Sequence, residues 1–443
     1  MRDTYSSLRR LTDVVDYLVD DRVGIVQYVH EVRTFAGAPD FYHFTSVACN
    51  TAAFAERGNF GLNGGASSDR DLAVAKAVGE SVERYCSALY ELDELPLYAA
   101  KDAPFDHVTP GDFALHSPEQ HQRPGFPYVP FTDDTPVRWT PAVDAATGKT
   151  VYVPAAFVWI PYFYYQGTGD SPIGEPISTG LACHCSYEEA ANSGIYEVIE
   201  RDAITIMWQA RLSMPQIRVE TLSEANYDLV QRLERGGDTV TLLNITLDAG
   251  VPTIMGVLAN DDPERPARVV AASANLDPEV AARKALEELA HTRRYSNNLK
   301  TWSQRLVPDA NFDNVNEQHD HLNLHADQTY AHLSAFMFAS KKRLDFEEIP
   351  RQVPADGRAE LKTLVEKVKG VGHRVLLADV TSEDVGDLGL RVVRALIPGF
   401  HPLILGHKIR ALGGRRLWEV PQKLGYPGVT RAKGDNPAPH PYP

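Results

Sequence analysis

At 443 residues, 43% of them hydrophobic and 23% charged, the chain has the composition of a folded globular protein of one large or two fused lobes, which excludes a disordered or fibrous chain. A formal net charge of −15 argues against sequence-independent nucleic-acid binding, which needs surplus Lys and Arg on phosphates, and leaves room only for a local basic pocket for one nucleotide. Four scattered cysteines (Cys49, Cys86, Cys183 and Cys185) make no disulfide framework, and the polar stretch Met1 to Leu11 has no apolar signal core, so the expected location is the cytoplasm.

In chain order, the β-branched run Val23–Val32 predicts a strand, and the periodicity of Asp71–Leu89 predicts a helix. That helix opens after the Gly-rich segment Gly61–Asp69, with Ser68 or Asp69 as cap and Leu72, Ala75, Val78, Val82 and Tyr85 toward the core. Residues 100–135, rich in Pro, Asp and His, predict a surface loop or insertion. The apolar run Val151–Tyr165 is interrupted by Pro154 and Pro161 and is too short to span a bilayer; it is expected in the core, with no membrane role. A helix is predicted over Tyr187–Ala210, capped by Ser186, and another over Pro278–Asn297, capped by Asp277 with Pro278 in its first turn. Strands are predicted at Thr239–Thr246, Thr253–Ala259, Arg268–Ala274, Arg374–Val380 and Val392–Pro398. Strands and helices mix without regular alternation, so the fold class is α+β. The last eighteen residues, Tyr426–Pro443, hold five prolines and cannot be a helix.

Chemistry concentrates on the three helices. Glu80-Ser-Val-Glu83-Arg84 recurs as Glu197-Val-Ile-Glu200-Arg201, and the third helix carries Glu287, Glu288, His291, Arg293 and Arg294. Carboxylates three apart share a helix face, and an arginine four after the first lies beside them. Mg²⁺ takes hard oxygen ligands, commonly one or two carboxylates plus phosphate oxygens, and Arg presents fixed donors to phosphate. Two readings stay open on spacing alone: solvated helix faces, or converging helices that hold a metal and a polyphosphate. The setting of both Glu-x-x-Glu-Arg motifs among Ala, Val and Ile weakens the first, because charges in apolar helices need partners, and leaves the two evenly balanced. On spacing alone Glu189 is explained as a capping-box residue, and Glu287 is expected to be exposed. Cys183-His-Cys185 lacks the second Cys pair of a zinc site and is read as structural. No GxxxxGK[ST] or GxGxxG motif occurs.

These motifs resemble the YcaO superfamily. Gly65-Ala-Ser-Ser through Glu80-Ser-Val-Glu83-Arg84 is similar to its first signature. Ser178-Thr-Gly-Leu-Ala with Glu189 and Glu197-Val-Ile-Glu200-Arg201-Asp202-Ala is similar to its second, and Ala285-Leu-Glu-Glu288-Leu-Ala-His291-Thr-Arg293 to its third. The tail Asn436-Pro-Ala-Pro-His-Pro-Tyr-Pro443 resembles the proline-repeat end of the azoline-forming cyclodehydratases, the D proteins of thiazole/oxazole-modified peptide biosynthesis. The resemblance implies a YcaO-type fold of mixed sheets and packed helices with an ATP/Mg²⁺ site, and three regions: an N-terminal segment 1–60 packed on the core, a catalytic domain 61–425 and a Pro-rich tail 426–443. Glu80, Glu83, Glu197 and Glu200 would serve metal or nucleotide. Arg84, Arg201 and Arg293 would contact phosphates, and Glu189, Glu288 and His291 would complete the nucleotide shell. Lys76, Ser193 and His291 stand where some members have Ser, Gln and Gln. Arg9, Arg10 or Arg22 would supply the N-terminal basic contact to ATP.

The implied reaction is ATP-dependent cyclodehydration. A Cys, Ser or Thr side chain of a ribosomal precursor peptide attacks the preceding carbonyl. The γ-phosphoryl group of ATP is transferred to the amide oxygen, and elimination leaves a thiazoline or oxazoline. The stiff tail would place Pro443 at the reacting centre, with His440 beside it read either as a general base or as a polar break between prolines. A separate E1-like leader-binding partner is expected, as is a homodimer. The alternatives are backbone thioamide or amidine formation, or a non-catalytic peptide-docking scaffold.

Overall fold

The computed structural model describes residues 2–34, 37–113, 115–164 and 167–443, with no side-chain account of residues 2–7. Met1 and Tyr165, where two of the sequence readings begin or end, lie outside the described residues. In chain order the helices are α1 Arg2–Leu18, α2 Arg70–Ser87, α3 Pro118–His121, α4 Tyr187–Gln209, α5 Glu224–Arg235, α6 Pro278–Trp302, α7 Gln318–Ala326, α8 Gly357–Gly370, α9 Glu383–Asp387 and α10 Arg416–Lys423. Strands β1 Val26–Glu31, β2 Tyr42–Ala48 and β3 Leu62–Ser67 form an antiparallel sheet. Strands β4 Leu97–Ala99, β5 Pro136–Asp144, β6 Thr150–Pro154 and β7 Leu181–His184 join β13 Leu376–Asp379 and β14 Arg391–Leu396 in a second, ordered β4-β5-β13-β14-β7 with β6 on β5. Strands β8 Gln216–Ile217, β9 Thr239–Asn244, β10 Thr253–Ala259, β11 Arg268–Ala274 and β12 Arg343–Leu344 make the third, ordered β11-β10-β9-β8-β12. The fold is α+β. No described helix is long and apolar enough to cross a membrane.

The three predicted helices form for the local reasons read from sequence. Asp69 accepts a hydrogen bond from the Leu72 amide, Ser186 from that of Glu189, and Asp277 from that of Glu279, so each helix start has a side-chain acceptor for an otherwise orphaned amide. Ala75, Val78, Val82 and Tyr85 of α2 are buried as expected, and Leu72 is half-buried. The apolar run after Val151 is core: Val153, Ala155 and Val158 are at most 1% exposed. Among the strands, β10 and β11 match their predicted limits, and β1, β9, β13 and β14 are shorter than predicted.

Two expectations are corrected here. The Gly-rich segment is not merely a lead into α2: residues Leu62–Ser67 are strand β3, paired with β2 and lying under α2. A Cβ on Gly65 would stand 2.4 Å from the Ala73 carbonyl oxygen and 2.6 Å from the Ala77 nitrogen, so only glycine lets helix and strand approach this closely. Residues 100–135 are not simply a surface loop, for Gln120 is fully buried and donates to the Arg410 carbonyl at 2.8 Å.

Packing brings the chemistry-bearing helices to one place. α2 packs against the second sheet through Val78, Val82 and Cys86, and α4 packs on the same sheet through Ile195, Ile199 and Val393. α6 lies on β10 and β11 through Leu286 and Leu289. β7 runs between α2 and α4, so an amide of this strand can serve a carboxylate of α2.

Candidate functional site

The sequence echo between α2 and α4 is a structural echo. Glu80 accepts from the Gly64 amide at 3.1 Å and from Arg84 Nη2 at 3.3 Å. Glu197 accepts from the Gly180 amide at 2.9 Å and from Arg201 Nη2 at 3.2 Å. In each motif the first glutamate is thus held between a glycine amide and the arginine four residues on. Gly180 has φ +91° and a Cβ there would lie 2.2 Å from the Ala395 carbonyl oxygen, so that amide is reached by a backbone open only to glycine.

The second glutamates differ. Glu83 accepts from the Cys183 amide of β7 at 2.8 Å. Burial, with Glu80 and Glu197 nearby, pushes its carboxyl up to about 8 against the pull of Arg84 and that amide. Glu200 is buried, pairs with Arg201 and accepts from the Tyr442 hydroxyl at 2.8 Å. Burial raises it to about 7, Arg201 and Tyr442 opposing and Glu197 and Glu288 reinforcing. Burial is thus the main cause of both shifts, and the carboxylates of the two helices reinforce it.

α6 closes the cluster with Glu288 and His291, 3.6 Å apart. Burial alone would raise Glu288, but His291, Lys76 and Arg201 outweigh it and hold the carboxyl at about 2. Burial would lower His291, and Glu288 and Glu80 raise it instead. Glu287 corrects the expectation of exposure. Its side chain is fully buried and accepts from Ser67 Oγ and Lys76 Nζ, each at 2.8 Å, tying α6 to β3 and α2. Arg293 is also corrected: it faces away from the cluster, 3% exposed and ion-paired with the buried Asp238. Glu189 serves its cap, accepting from Ser186 Oγ at 2.8 Å, and lies 3.0 Å from His184 Nδ1. Among the N-terminal basic residues, Arg10 is the one whose charge reaches Cys185, next to that pair.

The proline-rich tail is threaded into the body. The Asn436 amide donates to Gln209 O at 2.8 Å, Trp208 Nε1 donates to Ala438 O at 2.8 Å, and His325 Nε2 lies 3.0 Å from Pro439 O. His321 Nδ1 lies 2.7 Å from His440 O, and the two imidazoles stack at 4.0 Å. Tyr442 then reaches the cluster, receiving a hydrogen bond from Arg201 Nη1 at 2.8 Å and lying under its guanidinium with 4.6 Å to the ring centroid. His440 turns from the cluster, Nδ1 to Tyr442 O at 3.0 Å and Nε2 to Ile404 O at 3.3 Å, so as placed it braces the tail rather than standing free as a base. Pro443 follows Tyr442, half-buried.

Sequence reasoning missed Tyr442, the two glycine amides and Lys284. Lys284 lies one turn before Glu288, and burial lowers its ammonium, with Arg283 and Lys76 adding and Glu200 opposing. A lysine in an Ala- and Leu-rich helix face was the available signal for it. No group of three or more His, Cys, Asp or Glu side chains among the described residues is placed to hold a metal ion by itself. The carboxylates lean on arginines and backbone amides instead.

A family model described as YcaO cyclodehydratase, ATP- and Mg²⁺-binding, matches residues 64–401. A solved structure titled "Heterocyclase in complex with substrate and Cofactor" superposes with a TM-score of 0.79 at 20% identity, over 98% of this chain and 57% of that one. YcaO from Methanopyrus kandleri, bound with AMPPCP and Mg²⁺, gives 0.66 at 20% identity over 92% and 94% of the two chains. A chain of the E. coli microcin synthetase McbBCD complex with pro-MccB17 bound gives 0.59 at 12% identity over 95% and 100%. The chain thus spans little more than half the length of the first of these. With the three motifs gathered around one cluster and the family match running from β3 past β14, the chain belongs to the YcaO family.

Proposed function

We propose that the protein is an ATP- and Mg²⁺-dependent cyclodehydratase that converts Cys, Ser or Thr of a ribosomal precursor peptide to thiazoline or oxazoline. The observation that carries the reading is the buried carboxylate cluster of α2, α4 and α6, onto which the proline-rich tail delivers Tyr442. Arg84 Nη1 is buried and has no hydrogen-bond partner among the described residues, a donor suited to a phosphate oxygen. Glu83, held partly protonated by its surroundings, suits a site that gains a cation. Because the carboxylates do not form a closed cage, a metal here would complete its shell with phosphate oxygens, as Mg²⁺ commonly does. The AMPPCP and Mg²⁺ bound to the Methanopyrus protein, and the substrate and cofactor bound to the heterocyclase, support a nucleotide-dependent reaction.

In this reading Glu80, Glu83, Glu197 and Glu200 would serve metal or nucleotide, no more than two of them on any one metal ion, with Glu288, Glu189 and His291 in the nucleotide shell. Arg84 and Arg201 hold the phosphates, joined by Lys284 and Arg10, while Arg293 is reassigned to packing. Mg²⁺, when bound, neutralises charge at the transferring phosphoryl group. The peptide's nucleophilic side chain adds to the preceding carbonyl carbon. Its oxygen takes the γ-phosphoryl group from ATP, leaving ADP, and departs as phosphate, so the ring forms with loss of one water from the peptide. The chain's own work is positioning: Arg201 is fixed by Glu197, Glu200 and Tyr442, and the tail is fixed by His321 and His325. The leader is recognised by a separate E1-like partner, a reading supported by the match to one chain of a multi-protein synthetase complex. The enzyme is proposed as a cytoplasmic homodimer.

Product mass tests the reading. Incubation with precursor peptide, partner, ATP and Mg²⁺ should lower the peptide mass by one water per modified residue, with ADP formed in step, and folded Glu200→Gln should do neither. In a parallel incubation with added sulfide, a product heavier by the exchange of oxygen for sulfur would establish thioamide formation instead, and unchanged mass in both incubations with tight peptide binding would establish a scaffold.

A further inference from the structure

Beside Arg201 lies a partly open cavity of about 100 Å³ between α4, β14, the 397–404 loop and the 174–179 segment. Its walls are mainly apolar, with Phe113, Phe157, Val198 and Phe400 among them. Arg394 and Glu175 also line it, and each has an atom without a hydrogen-bond partner among the described residues: Nη1 of Arg394, whose residue is 2% exposed, and Oε2 of Glu175. The other Arg394 nitrogens are satisfied by the carbonyls of Phe157 and Ile177, so the guanidinium is a fixed wall group with one donor to spare. Burial lifts Glu175 to about 7. A protein interior leaves a donor and an acceptor unmet in one apolar cavity at a real energetic cost, which a ligand carrying both functions removes. A peptide group is such a ligand: its carbonyl accepts and its N–H donates.

We infer that this cavity receives a large apolar side chain of the precursor peptide, that of the residue immediately before the cyclised Cys, Ser or Thr, with Arg394 and Glu175 meeting its backbone. The inference rests on the cyclodehydratase reading and names a substrate preference within it. The residue is assigned by connectivity. The attacked carbonyl belongs to the preceding residue, so that side chain begins two bonds from the reacting carbon. The cavity shares Arg201 with the carboxylate cluster, hence is within reach of that side chain. The cyclised side chain itself is consumed in the ring, and the following residue stands farther along the chain. Ile404, whose carbonyl faces His440, puts the threaded tail along the same wall.

The test uses the capped dipeptides acetyl-Phe-Cys-amide and acetyl-Gly-Cys-amide, with dissociation constants measured by ligand-observed NMR in the presence of Mg²⁺ and AMPPCP. The Phe probe should bind about tenfold more tightly, as transfer of a phenyl ring out of water supports. Ala411, on the cavity wall and apart from the carboxylate cluster, offers a filling variant. Ala411→Leu should abolish the Phe preference while AMPPCP affinity stays within about twofold of wild type. Glu175→Gln, which keeps the shape, should weaken both probes by about threefold, the worth of one hydrogen bond. Equal affinity for the two probes, or a Phe preference that survives Ala411→Leu, overturns the inference and leaves the nucleotide reading intact. Should Ala411→Leu fail to fold, the wild-type probe pair and Glu175→Gln decide, and unchanged probe affinity in the latter overturns it. Wild-type protein that does not bind Mg²⁺–AMPPCP overturns the nucleotide reading and this inference with it.

Discussion

Glu83 and Glu200 are acids held above their ordinary range by burial, at about 8 and about 7. An acid whose folded pKa exceeds its unfolded value of 4.5 keeps its proton longer in the native state. Between pH 4.5 and about 8 the native state therefore binds more protons than the unfolded one, and stability falls as pH rises through that window. A bound cation should expel the protons. Calorimetric titration of Mg²⁺–AMPPCP near pH 7, in two buffers of different ionisation enthalpy, should detect release of up to about one proton per site. Glu83→Gln should remove much of that release and flatten the fall of Tm between about pH 5 and pH 8.5. Equal heats in the two buffers would mean that these carboxyls are already ionised in the free protein.

At the scale of elements, the site depends on two close approaches and one threaded arm. Gly65→Ala drives a methyl into the first turns of α2 and should cost about 1–3 kcal/mol in chemical denaturation. It should also weaken Mg²⁺–AMPPCP binding, because the neighbouring Gly64 amide holds Glu80. A Gly65→Ala protein of wild-type stability would show that β3 can slide away from the helix. The tail makes its own prediction. Residues after Asn436 advance about 3.1 Å each in the polyproline form, and fixed φ angles lower the entropy lost on ordering them. Removing Tyr442 and Pro443, or appending a few residues after Pro443, should cut ring formation at least tenfold while Mg²⁺–AMPPCP affinity changes much less, since Arg201 keeps Glu197 and Glu200. Ring formation at the wild-type rate in the extended protein would reduce the arm to a structural strap.

For the molecule as a whole, the buried network of Arg416 decides whether these parts stay in register. Arg416 of α10 donates to Asp202 of α4 at 2.7 Å and to Asp248 at 2.6 Å, and its guanidinium lies over Phe400 at 4.1 Å. Asp202 also accepts from the His401 amide at 2.7 Å, so one charge cluster joins α4, the loop after β14 and the helix that precedes the tail. Arg416→Met leaves Asp202 buried without its cation and should cost about 3–5 kcal/mol, read from urea denaturation. Its loss should also loosen the tail, seen as faster amide exchange at Ala438 and Tyr442. A small cost would mean that water reaches Asp202.

The sequence by itself determined the three helices, because their caps and apolar periodicity are local, and the buried strands β10 and β11, because short apolar runs bounded by turn formers read as strands. It also determined Glu80, Glu83, Glu197, Glu200, Arg84 and Arg201 as a set, because a repeated motif in apolar helices is visible without any contact being known. Tertiary structure alone decided which charges face one another. Glu287 and Glu288 are adjacent in sequence, yet one is sealed against Lys76 and Ser67 while the other joins the cluster. Arg293 lies two residues past His291 and belongs to Asp238 on another face. Helical rotation separates neighbours by about 100° each, and only the packing of α6 on its sheet says which direction is the site. Tyr442 was hidden for a different reason: it meets Glu200 across 242 positions of chain, a pairing set by the path of the threaded tail and by nothing local to either residue.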